Sequence, residues 1–272
     1  MKKEWHILSL GAGVQSTTLA LMMEKGKFHK ADCGIFADTG FEPKYVYEHL
    51  RWLQKNLSFP VHIVKTTHSQ ADGNILKHTL KAIKGQAKQY HSAPFYTEKG
   101  LVRRQCTGVY KIHPIRLKIR EILGLKRYQR CKDQIVYQYI GISKDEMNRM
   151  TINRDKYIQN VYPLVDNNIT RNDCLRWVKK NNYPVPKKSA CLFCPYHDNK
   201  TWKDMKQNSP KDFALVVKLD KMIRNPKLNK YPFDKKLYMH QSLKPLDEVD
   251  FDKKSKQLEF SFKDECEGMC GV

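Results

Sequence analysis

Acidic side chains are the scarce class in this sequence. Asp and Glu number 28 against 50 Lys and Arg, a formal net charge of +22 over 272 residues. A surface so short of negative charge concentrates polyanions and speeds encounter with them. Nucleotides would use only a few of these charges, so nucleic acid is an expected partner; a solvated, highly soluble surface is the plainer alternative. Long apolar runs are also missing. None approaches the roughly 20 residues needed to span a bilayer, so no membrane partner is expected. The opening Met1-Lys2-Lys3-Glu4-Trp5-His6 is basic but leads into only a short apolar run, which is not a signal peptide, and a cytoplasmic protein is expected. There is no internal repeat and no long low-complexity segment. With 40% hydrophobic residues the chain is not a disordered tail. Its length suits one large α/β domain, or one with a smaller appendage.

The periodicities predict the order of elements. Trp5–Leu10 reads as a buried strand, followed by a Gly-Ala-Gly turn and a helix opened by Ser16-Thr17-Thr18 and closed by Gly26. Cys33–Ala37 reads as a second strand and Val61–Val64 as a third, with a helix over Lys44–Asn56 started by Pro43 between them. This alternation predicts a doubly wound, parallel, five-stranded α/β sheet. Helices follow over Asn74–Ile83 and Tyr110–Leu123, with a long loop, 84–107, between them that has the length of an active-site lid. Gln134–Ile140 is the fourth strand and Asn160–Leu164 the fifth. Thr170 caps a helix over Arg171–Lys180. Residues 1–165 are expected to form the nucleotide-binding α/β domain. Residues 166–272 would form a helical part carrying a cysteine turn, helices near Asn199–Gln207 and Pro210–Arg224, and a cysteine-bearing tail. Trp52 and Trp177 sit on apolar helix faces and read as core.

Two constellations carry chemistry. Ser9-Leu10-Gly11-Ala12-Gly13-Val14-Gln15-Ser16-Thr17 lies between a strand and a helix. Its glycines let backbone N–H groups turn inward, the helix start adds partial positive charge, and Ser9, Ser16 and Thr17 add hydroxyls. It lacks the Gly-Lys-Ser/Thr of a Walker A loop and the third glycine of a dinucleotide fingerprint. Asp38-Thr39-Gly40 leaves the next strand at the same sheet edge, where a carboxylate serves a ribose, an adenine or Mg²⁺ on phosphates. The second constellation is sulfur. Cys33 and Cys174 read as core, leaving Cys106, Cys131, Cys191, Cys194, Cys266 and Cys270 for metal or redox work. Cys191-Leu192-Phe193-Cys194 is a C-x-x-C turn that can bite a metal or a cluster. His113, His197 and His240 could join a zinc site. The basic residues concentrate between Glu98 and Asp133, where only Glu98, Glu121 and Asp133 oppose eleven Lys and Arg.

Ser9–Thr17, Ile35-Phe36-Ala37-Asp38-Thr39-Gly40 and Gly141-Ile142-Ser143-Lys144-Asp145-Glu146, in this order, resemble the PP-loop ATP pyrophosphatase superfamily. The nearest branch is the phosphoadenosine-phosphosulfate reductase-like family, and the resemblance spans roughly residues 5–200. It implies an adenine nucleotide α-hydrolase-like fold and ATP or a sulfonucleotide in the cleft, with Ser9, Gly11, Gly13, Gln15 and Ser16 on phosphates; Thr17, Asp38, Thr39 and Gly141 complete the expected nucleotide site. It also implies a [4Fe–4S] cluster on Cys106, Cys191 and Cys194, with zinc as the alternative; Cys131, Cys266 and Cys270 compete as a fourth ligand. The tail resembles the reductases' thiol-bearing terminus, making Cys266 or Cys270, with Asp38, the catalytic candidates, although Glu267 stands where that terminus has Gly. ATP-cleaving members carry Asp at the place of Gln15, so the loop leans toward the grip of the reductases.

Three functions compete. The first is ATP-dependent sulfur transfer to nucleic acid (tRNA or DNA), favoured by charge, with sulfur from a separate donor. The second is reduction of (phospho)adenylyl sulfate to sulfite by a C-terminal thiolate, with thioredoxin as partner. The third is a non-catalytic nucleic-acid-binding module, against which the six candidate reactive cysteines speak.

Overall fold

The computed structural model describes residues 2–67, 73–87, 93–225 and 236–253. Cys266 and Cys270 lie outside the described residues. The elements run β1 (Lys3–Leu10), α1 (Val14–Glu24), β2 (Cys33–Ala37), α2 (Lys44–Asn56), β3 (Val61–Val64), α3 (Ile75–Ile83), β4 (Tyr96–Thr97), β5 (Gly100–Leu101), α4 (His113–Ile122), β6 (Gln134–Ile140), β7 (Ile158–Val161), α5 (Pro163–Asp166), α6 (Arg171–Lys180), α7 (Asn199–Asn208) and α8 (Pro210–Arg224).

Alternation along the strands splits the sheet into two apolar faces, each of which needs a cover. Leu8, Leu10, Phe36 and Tyr139 point to one face and share a core with Leu19 and Met23 of α1, Val46, Leu50 and Leu53 of α2, and Cys174 of α6. Ile7, Cys33, Ile35, Ala37, Val136 and Ile140 point to the other and pack against Ile115 and Ile119 of α4. Helix α1 is enclosed along nearly its whole length, Val14 through Met23 being buried. The five strands are ordered β3-β2-β1-β6-β7 and every pairing is parallel. This is the doubly wound α/β sheet that the sequence pattern predicts. The winding reverses between β1 and β6, so the crevice beyond their carboxyl ends is the switch point where such sheets take ligands. A third core, around Phe95, Tyr110, Phe193, Trp202, Phe213, Val216 and Met239, joins α7 and α8 to the cysteine turn and to the segment before α4. Residues from both sides of position 165 contribute to the first and third cores.

Cys33 and Cys174 are buried as expected, and Trp52 and Trp177 pack against the first core. Two expectations need correction. The fifth strand is Ile158–Val161 rather than Asn160–Leu164, because Pro163 is fixed at a helical φ and opens α5. The 84–107 segment is not structureless. Thr97-Glu98-Lys99-Gly100 turns β4 back on β5, with Gly100 at φ +107 and Thr97 Oγ1 donating to the Gly100 carbonyl at 2.7 Å. Tyr96 also bridges to Tyr238. Among the described residues, no helix is long and apolar enough to cross a membrane.

Candidate nucleotide and thiol site

The turn after β1 curls back on the first turn of α1. The Gly11 N–H donates to Ser16 Oγ at 3.2 Å, and Ser16 Oγ donates to the Gly13 carbonyl at 3.3 Å. Between them Ala12 sits at φ +57 and is fully buried. Gly141, leaving β6, closes the other side. A Cβ there would lie 2.7 Å from both Cα and N of Ser16, so only glycine lets the β6 exit pass this close to the start of α1. Gly11, Gly13, Ser16 and Gly141 thus gather around the amides at the head of α1, where an anion is stabilised.

The remaining loop side chains point elsewhere. Ser9 faces the α4 side of the sheet and accepts a 2.6 Å hydrogen bond from Gln138 Nε2. Gln138 in turn accepts from Asn153. Thr17 Oγ1 meets Nε2 of His49 on α2 at 3.0 Å. Gln15 is 1% exposed; its Oε1 accepts from Arg171 Nη1 at 3.0 Å and its Nε2 lies 3.4 Å from Ser143 Oγ. Arg171 has no local sequence signal: it lies 156 residues beyond Gln15, and its arrival depends on α6 packing beside α1.

The turn after β2 is acidic. Asp38 is 4% exposed. Its Oδ1 accepts from the Gly40 N–H at 2.7 Å and from Tyr47 Oη at 2.8 Å, and Lys65 Nζ lies 3.4 Å from Oδ2. Gly40 adopts φ +76, and a Cβ on it would stand 2.7 Å from Asn74 Nδ2 and 3.1 Å from Asn74 Cα. Asn74 caps α3 by accepting from the Lys77 N–H, and it donates to the Gly40 carbonyl at 2.8 Å. The Asp38–Gly40 turn is therefore fixed from both sides.

The cysteine turn docks on this segment. The Leu192 N–H donates to the Phe41 carbonyl at 3.0 Å, and Cys191 Sγ lies 3.1 Å from Thr39 Oγ1 and 3.7 Å from Glu42 Oε1. Glu42 is 6% exposed and its Oε2 is buried without a hydrogen-bond partner. Burial raises the Glu42 carboxyl above its ordinary range, with the Lys111 ammonium opposing. Burial, and then the Glu42 carboxyl, push the Cys191 thiol well above its usual range, and Cys106 adds to the rise. Cys106 and Cys191 both pack against the third core, whereas Cys194 packs with Ala190. Glu42 and Lys111 were not read as site residues. The only hint was Glu42's place two residues beyond Gly40.

The other metal candidates scatter. Cys131 Sγ contacts the Gln134 carbonyl at 3.5 Å, at the amino end of the seven-residue β6, about 20 Å from its carboxyl end. His240 has both ring nitrogens engaged, by Ser242 and Asn199. His197 Nε2 bonds the Cys191 carbonyl at 3.0 Å, and burial lowers its pKa to about 4. Among the described residues, no group of three or more His, Cys, Asp or Glu is arranged to hold a metal ion. As they stand, Cys106, Cys191 and Cys194 do not present the donor set of an iron–sulfur cluster or a zinc site, although Cys191 is brought to the mouth of the cleft. In the basic segment, Arg116 grips Asp155 with two bonds of 2.7 and 2.8 Å, Lys118 pairs with Glu121, and Arg120 ties the Lys126 and Gln129 carbonyls. Arg149 pairs with the buried Glu146 at 2.6 Å.

No protein-family model matches the chain, and no curated protein matches it. Among solved structures it is similar to the phosphate complex of phosphoadenylyl-sulfate (PAPS) reductase from Candida auris. The identity is 14%, with 68% of this chain and 76% of that chain covered, and the TM-score is 0.44.

Proposed function

We propose that the chain is a PP-loop enzyme of the phosphoadenosine-phosphosulfate reductase-like family that binds an adenine nucleotide at the α1 turn and transfers sulfur to nucleic acid. The observation carrying this reading is the meeting of two unlike exits at one sheet edge. The β1 exit offers amides without any acid, and the adjoining β2 exit holds the Cys191 thiol against Thr39. ATP bound by Gly11, Gly13, Ser16 and Gly141 would pass AMP to an oxygen of the acceptor and release pyrophosphate. Asp38 would serve the ribose, or Mg²⁺ in exchange for Lys65. A sulfur carried on Cys191 as a persulfide, loaded by a separate donor, would then displace AMP, with Cys106 beside it to receive the bond left behind. The low negative charge of the chain suits a polyanionic acceptor.

The test compares two products of anaerobically purified protein. Pyrophosphate release from ATP is expected to rise when tRNA or DNA is added. Sulfite formation from phosphoadenylyl sulfate with thioredoxin, without nucleic-acid-stimulated pyrophosphate, would overturn the reading. Iron and acid-labile sulfide analysis of the same preparation decides between a cysteine persulfide and a cluster as the sulfur carrier.

A further inference from the structure

We infer that Arg171 reads the phosphate charge of the bound nucleotide and that Gln15 positions it. The inference rests on the reading of Ser9–Thr17 as the phosphate grip. Arg171 is the first residue of α6, and its backbone is fixed twice over. Thr170 and Asp173 form a reciprocal capping box around it, and its own N–H donates to Asp145 Oδ1 at 3.0 Å. Its side chain reaches across to α1, where Nη1 donates to Gln15 Oε1 at 3.0 Å. A carboxamide has one accepting and one donating end. With Arg171 on the accepting end and Ser143 Oγ 3.4 Å from the donating end, Gln15 has one orientation.

The chemistry of that partner matters. A carboxamide aims the guanidinium but adds no negative charge at the contact. A carboxylate in the same place would form an ion pair and draw the guanidinium's field onto itself. Position 15 is in the first turn of α1, and Gly141 holds the β6 exit against the next residue, Ser16. The guanidinium is therefore brought to the switch point, beside the amides that receive the phosphates. Its planar fork of donors matches a phosphate two bonds at a time. Arg171 then adds a full charge to the partial charge of the helix head, and affinity should climb with the number of phosphates.

Calorimetric titration of the full chain with ATP, ADP and AMP tests this, with thermal melting run on every variant. Arg171→Met is expected to weaken ATP binding by on the order of tenfold, as for one lost charge-assisted contact, and AMP binding by less than about threefold on the same scale. Arg171→Lys should recover part of the ATP preference. Gln15→Asp should compress the ATP-to-AMP ratio although Arg171 is intact. Equal weakening for all three nucleotides, or none, would show Arg171 and Gln15 to be structural ties only and overturn the inference while leaving the phosphate grip in place. Failure of the unaltered chain to bind any of the three would overturn the grip and this inference together. If Arg171→Met does not fold, the ratios for Arg171→Lys and Gln15→Asp decide in the same way.

Discussion

The turns after β1 and β2 lie side by side on one sheet and are built from opposite materials. The first has no acid and is held by backbone and neutral side chains, Gly11 to Ser16 and Gln15 to Arg171. The second holds two buried carboxyls, Asp38 and Glu42, with a thiol against them. An anion entering at the switch point meets donors on the β1 side and is repelled on the β2 side. Neighbouring exits of one sheet can thus divide binding and chemistry between them, one attracting charge and the other managing protons and sulfur.

The largest expected effect falls on the second turn. Cys191→Ser should abolish sulfur transfer in a thiolation assay while changing stability by no more than about 1 kcal/mol, since a hydroxyl can still meet Thr39. Retained transfer would strip the second turn of its chemical role. Gly141→Ala attacks the first turn. Its Cβ meets backbone that cannot rotate away, so a loss of about 1–3 kcal/mol in denaturant unfolding, together with weaker nucleotide binding, is expected. A loss of stability with unchanged affinity would separate the turn's shape from its function.

A pH titration sharpens the comparison further. Burial lowers His49, His197 and His240 to about 4, while the unfolded chain titrates near 6.5. Between those values the unfolded state binds more protons. Stability is therefore complete above about pH 6.5 and lost as pH falls toward 4, at up to about 1.4 kcal/mol per pH unit for each residue. Glu42 opposes this. Its raised carboxyl favours the protonated fold and loses stability as pH rises past its unfolded value. Glu42→Gln should accordingly raise the melting temperature more at pH 8 than at pH 5; an equal gain at both would mean that Glu42 holds its charge throughout. The smallest effect is expected for Lys65→Met. The Lys65 side chain is 58% exposed, so its pair with Asp38 contributes less than about 1 kcal/mol in thermal melts.

Much of this was legible locally. Strand and helix periods located β1, α1, β2, α2 and β3, because each is a single run with one buried face, and the glycines at 11, 13 and 141 mark places where backbone meets backbone. What escaped was set by tertiary approach. Arg171 joins the site only because α6 packs on α1, and Glu42 matters only because the cysteine turn lands on Phe41. Cys131 looked equivalent to the other cysteines in spacing, but β6 runs the length of the sheet between it and the cleft. The short β4–β5 hairpin is two residues per strand, too brief for any alternation to show.

Ala12 has one last consequence. A methyl-bearing residue at φ +57 sits in a region that costs about 1–2 kcal/mol outside glycine, and the surrounding core holds it there. The loop's curvature is thus imposed by folding itself and stands ready before an anion arrives. Little conformational freedom is left for a ligand to freeze, so association should be quick and its entropic penalty small.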